Sequence, residues 1–91
     1  MRITEYQSTP NPNAIKCVAD NAVPAASTRT DRPRSYNSVD AASNDPFART
    51  LLQVAGVRSV LVTDSWFTIS KDGAAEWKAI KADVERAIAD I

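Results

Sequence analysis

One thiol, at Cys17, and no histidine anywhere in 91 residues bound the chemistry this sequence can do. A nucleophilic cysteine needs a base or cation beside it to become a thiolate. Without imidazole, that base and the commonest neutral metal ligand are both missing. A single thiolate also falls short of the several cysteines that hold zinc or an iron–sulfur cluster. Cys17 lies in Ile15-Lys16-Cys17-Val18, where strand alternation puts Ile15 and Cys17 on one face, so it reads as a small buried hydrophobe. The acids are scattered, with no spacing that fixes two carboxylates over one substrate bond. Two glycines, Gly56 and Gly73, exclude a glycine-rich phosphate loop. No catalytic residue emerges.

Two features could bind instead of catalyse. Arg29, Arg32 and Arg34, with Tyr36, form a local basic patch whose guanidinium forks suit phosphate or carboxylate. Asp31 sits among them, and solvated loop charge is the plainer reading. Trp66 falls beside a turn, on the strand face opposite Phe67, where a half-exposed indole can anchor a partner or pack on a loop. Eleven Lys and Arg balance eleven Asp and Glu, so no long-range field draws the molecule to nucleic acid or to an anionic membrane.

The elements that must position these residues follow from pattern. Ile3 to Gln7 and Ala14 to Ala19 read as strands, separated by Ser8-Thr9-Pro10-Asn11-Pro12-Asn13, where two prolines oppose helix and strand alike. Residues 20–34 are poor in large apolar side chains and read as a mobile loop. Arg34 to Val39 is a weak third strand, supported by Tyr36 and Val39 alone. Asp45-Pro46 opens a helix, with Asp as N-cap and Pro at the first turn, and Gly56 stops it. Phe47, Leu51 and Val54 share its core face, with Leu52 beside them. Arg58 to Thr63 and Trp66 to Lys71 alternate about Asp64-Ser65 as a hairpin, with Val60, Val62, Phe67 and Ile69 turned inward. From about Ala74 to Ile91, Trp77, Ile80, Val84, Ala87, Ile88 and Ile91 form the apolar stripe of a closing helix. The expected fold is α+β, a two-layer sandwich of a mostly antiparallel sheet with two helices on one face, in the order β-β-β-α-β-β-α.

With 44% hydrophobic and 24% charged residues the chain reads as one globular domain spanning 1–91. The start has no apolar signal region and no stretch approaches eighteen apolar residues. The expectation is therefore a whole mature chain, cytoplasmic, monomeric and apart from membranes.

Thr9-Pro10-Asn11-Pro12-Asn13-Ala14, the helix start Asp45-Pro46-Phe47-Ala48, Gly56-Val57 followed by Val60, Asp64 with Phe67-Thr68-Ile69-Ser70-Lys71, and Glu76-Trp77 together resemble the N-terminal domain of Nfu/NifU-type iron–sulfur cluster scaffold proteins. The resemblance runs from the first strand to the last helix. In that family this domain commonly precedes a second one whose CxxC motif holds the cluster, and no residue here matches that motif. The resemblance thus implies an α/β fold, a place in cluster assembly or transfer, no catalytic residues and no cofactor bound by this chain alone. It implies iron–sulfur scaffold or target proteins as partners. The expected surface is Thr9, Pro10, Asn11, Pro12 and Asn13, whose stiff backbone presents amide groups at little ordering cost; Arg29, Arg32, Arg34 and Trp66 join it on charge and exposure. Two other readings compete: iron or a cluster held by a homodimer sharing Cys17, which a buried thiol would defeat, and nucleic-acid binding by the arginine patch.

Overall fold

A computed structural model of the chain describes residues 1–20, 23 and 34–90. Five strands, β1 (Ile3–Ser8), β2 (Ala14–Ala19), β3 (Arg34–Tyr36), β4 (Val57–Val62) and β5 (Trp66–Lys71), form one sheet in the order β1-β2-β5-β4-β3. Every pairing is antiparallel. Helices α1 (Pro46–Leu52) and α2 (Trp77–Ile88) complete the chain order β-β-β-α-β-β-α. The α+β sandwich expected from the pattern is the fold observed.

Both helices bury their apolar stripes on the same side of the sheet. Phe47, Ala48, Leu51 and Leu52 of α1 and Ile80, Val84 and Ile88 of α2 share one core with Cys17, Val60, Val62, Phe67 and Ile69. Phe47 meets Phe67 edge-to-face, with ring centroids 5.3 Å apart. The central strand is β5, between β2 and β4; across its pairing with β2, Cys17 lies opposite Phe67 and Ile15 opposite Ile69. The inward set expected of the hairpin is the buried set. Thr63 closes its turn: its amide donates to Trp66 O at 2.9 Å and its hydroxyl to the same carbonyl at 2.8 Å.

Asp45 caps α1 as its position demands, its carboxylate accepting from the Ala48 amide at 3.2 Å, with Pro46 in the first turn. The helix is shorter than the periodicity suggests. It ends at Leu52, and Val54 lies in a turn where the Val57 amide donates to Val54 O at 3.1 Å. Gly56 finishes that turn at φ +91°, and a Cβ there would stand 2.9 Å from the Ala75 Cβ, so only glycine fits. The closing helix starts later than Ala74. Asp72 takes the Ala74 and Ala75 amides in a turn of its own, through its side chain at 3.0 Å and its carbonyl at 2.9 Å. Helical geometry therefore begins at Trp77, with Glu76 as cap.

The weak third strand is real but holds only Arg34–Tyr36. The loop expected over 20–34 falls mostly outside the described residues. Of it, Asp20 pairs with Arg2 through both backbone and side chain, and buried Val23 donates its amide to Asp64 O at 2.8 Å. Among the described residues no helix is long and apolar enough to cross a membrane.

Candidate partner-binding site

The loop between β1 and β2 is stiffened by its own side chains before anything else touches it. The Asn11 Oδ1 accepts from the Asn13 amide at 2.9 Å, an Asx turn, and the Ala14 amide donates to Asn11 O at 3.0 Å. The Thr9 hydroxyl is shared between Asn11 O at 2.8 Å and Ala14 O at 3.0 Å. The loop backbone is therefore held in one shape while Pro10, Asn11, Pro12 and Asn13 all stay exposed.

Tertiary contacts then fasten this loop to the far end of the chain. The Trp77 indole N–H, on the first turn of α2, donates to Pro12 O at 3.3 Å across 65 residues. The Lys71 amide donates to Asn13 O at 2.7 Å and its ammonium to Asn13 Oδ1 at 3.3 Å. That ammonium also lies 5.7 Å from the Trp77 ring centroid. Between loop and helix runs an open groove of about 260 Å³, lined by Thr9, Asn11, Pro12, Ile15, Trp77 and Lys81 among others. Lys81 Nζ stands 4.6 Å from the centroid of Tyr6, whose hydroxyl donates to Glu85 at 2.7 Å. Burial, then that carboxylate, push the Tyr6 phenol well above its usual range.

The other candidates are placed elsewhere. Trp66 is half-buried on the sheet face away from the helices, with Lys16 Nζ 4.5 Å from its ring centroid. Arg34 Nε lies 2.9 Å from Asp45 Oδ2, and the two side chains are 10% and 1% exposed, so this guanidinium is turned into the fold. Tyr36 joins them, its phenol raised by burial and then by its hydrogen bond to Asp45. Arg29 and Arg32 lie outside the described residues. The one described member of the expected arginine patch, Arg34, pairs with the cap of α1.

Cys17 is fully buried, and burial pushes its thiol up to about 12. Burial counts against the shared-thiol reading. A metal bridging two chains needs an accessible thiolate, and this sulfur has neither access nor charge. Among the described residues no three His, Cys, Asp or Glu side chains gather as a metal site.

Lys71, Lys81 and the indole N–H of Trp77 are the members of the surface that the sequence pattern did not single out. One signal was present: a Trp at the start of a surface helix brings an N–H that needs an acceptor. Which acceptor it finds depends on the fold.

The family model described as "Scaffold protein Nfu/NifU N terminal" matches residues 3–91. The chain belongs to that family. Among relatives of the Nfu/NifU N-terminal domain, the Drosophila willistoni protein named "NFU1 iron-sulfur cluster scaffold homolog, mitochondrial" is 42% identical over 86 residues, covering 94% of this chain and 28% of its own length. The Homo sapiens protein of that name is 33% identical over 87 residues, with 94% and 32% covered. The chain therefore spans about three tenths of these curated relatives. Among solved structures, protein SAV1430 from Staphylococcus aureus superposes with a TM-score of 0.76 at 25% identity, covering 96% of this chain and 98% of that one. A NifU-like protein from Saccharomyces cerevisiae, at 21% identity and a TM-score of 0.69, shares the fold.

Proposed function

We propose that this chain is a non-catalytic adaptor or accessory domain in iron–sulfur cluster assembly or transfer, acting through protein–protein contacts and binding no cluster itself. The process is that of the scaffold relatives, and the family match over residues 3–91 supports it. The observation that carries the surface is the fastening of the Thr9 to Asn13 loop. Its carbonyls and side-chain acceptors are fixed by Trp77 and Lys71, yet its outer face is left to solvent. Most of the ordering cost of recognition is met before a partner arrives.

The test is an anaerobic pull-down from native cell extract with the tagged chain, read by mass spectrometry, beside an Asn11→Ala/Asn13→Ala variant. The expected result is enrichment of iron–sulfur scaffold or target proteins that the variant loses while its amide spectrum stays folded. Capture of no such protein by the unmodified chain would sink the adaptor reading. Equal capture by both would move the surface away from the loop.

A further inference from the structure

Resting on that reading of the loop as a docking face, we propose that the groove between the β1–β2 loop and α2 receives an extended segment of a partner protein carrying an aliphatic side chain flanked by carboxylates.

The polar groups around the groove are unevenly committed. Three nearby acceptors are already occupied: Pro12 O by the Trp77 indole, Asn13 Oδ1 by Lys71 and Asn11 Oδ1 by the Asn13 amide. The donors are not used up in the same way. Lys81 Nζ rests on the Tyr6 ring, and Lys71 Nζ touches a neutral amide oxygen and the Asp72 carbonyl. Neither ammonium has a carboxylate within 4.0 Å among the described residues. The carboxylate bonded to Tyr6, Glu85, serves a neutral hydroxyl. Among the described residues no acceptor takes the Asn11 amide N–H donors, since its oxygen is the atom that closes the turn.

A ligand that completes this arrangement brings acceptors, and charged ones at Lys81. A carboxylate meets an ammonium with a charge-assisted bond about twice as strong as a neutral one. The walls are a different matter. Pro12, Ile15 and the Trp77 ring offer apolar surface, which a bare anion would leave wet and an aliphatic side chain would cover. The combination selects a peptide with both features on adjacent residues. A net charge of zero and the mixed lining argue against a polyanion as occupant.

The test uses the ¹⁵N-labelled full chain titrated with three capped pentapeptides: Gly-Glu-Leu-Glu-Gly, Gly-Gln-Leu-Gln-Gly and Gly-Glu-Gly-Glu-Gly. The first is expected to shift the amides of residues 9–15 and the Trp77 indole N–H saturably. Its Kd is expected to rise about tenfold in a Lys81→Gln variant, the loss of one charge-assisted hydrogen bond, and at least as far with the glutamine peptide, which lacks both carboxylates. The glycine peptide should fall as far for want of the aliphatic contact. Absence of those shifts, the same shifts from all three peptides or from inorganic phosphate, or an unchanged Kd in Lys81→Gln overturns the proposal. The Lys81→Gln variant also enters the pull-down. Retention of every scaffold protein there, with loss in the Asn11/Asn13 variant, removes this ligand chemistry and leaves the adaptor reading standing. Failure of the unmodified chain to capture any removes the adaptor reading by itself.

Discussion

Two polar clusters on this fold are built in opposite ways. Around Asp45 the charges are buried and answer each other: Arg34 pairs with the carboxylate, the Ala48 amide donates to it and Tyr36 closes in from β3. Around Asn11 and Trp77 the loop is exposed and the helix side half-buried, Pro12 O, Asn13 Oδ1 and Asn11 Oδ1 are taken, and the Lys71 and Lys81 ammonium groups lie near aromatic rings with no carboxylate within 4.0 Å among the described residues. A cluster whose charges pair with each other holds secondary structure together. One left with surplus donors at the surface has chemistry to offer a second molecule. The first ties the short edge strand to the start of α1, and the second ties a loop to the start of α2. Their roles differ because one is dry and the other wet.

The contrast predicts a graded series. Asp45→Ala should cost most, about 3–5 kcal/mol in urea unfolding, because it strands the Arg34 guanidinium at a buried site and removes the helix cap as well. A cost under about 1 kcal/mol, the range of exposed pairs, would break the comparison. Gly56→Ala should cost less, about 1–3 kcal/mol, from the strained φ and the tight approach to Ala75. Trp77→Phe keeps the ring and deletes the N–H, so about 1 kcal/mol is expected. Hydrogen exchange of the Asn13 and Ala14 amides should quicken there, while the α1 amides keep their protection. Asn11→Ala with Asn13→Ala should have the smallest effect on folding, within about 1 kcal/mol, since both side chains are exposed.

Alkaline titration probes both clusters at once, because each contains a phenol pushed upward. The sign follows from linkage. An acid whose folded value lies above its unfolded one stays protonated in the native state while the unfolded chain ionises. Stability is therefore intact below the unfolded value and falls as pH rises past it. For Cys17 that window opens near its ordinary 9.0 and runs to about 12; for Tyr6 and Tyr36 it opens near 10.0. Urea midpoints should fall between pH 8 and pH 11, and less steeply in Cys17→Ala measured against its own value at pH 8. An identical slope in that variant would show that the thiol leaves its buried site before it ionises.

Much of the architecture was legible because its signals are local. Asp45-Pro46 marks a helix start through side-chain and ring geometry within four residues, and Val60, Val62, Phe67 and Ile69 mark their face by alternation alone. The ends of elements were less legible. Val54 and Ala74 fit helical spacing, yet the turn at Gly56 and the local Asp72 turn claim them, and the two turns meet, with the Asp72 amide donating to Gly56 O and Gly56 tight against Ala75. The site divided in the same way. The Pro-Asn loop announced itself by composition, whereas nothing in Lys71 or Lys81 marked them as its neighbours.

The sequence by itself determined the identity of the elements, the inward face of each strand, the burial of Cys17 and the family to which the chain belongs. Periodicity, capping and turn chemistry act over a few residues, and those are written in order along the chain. Tertiary structure alone decided that β5 lies between β2 and β4, which brings Lys71 beside Asn13 and sets α2 against the first loop. It also decided that Arg34 turns inward to Asp45 while Lys81 remains at a surface groove. Both outcomes depend on which buried faces cover one another, a balance of packing and desolvation summed over the whole core that no short stretch of sequence contains.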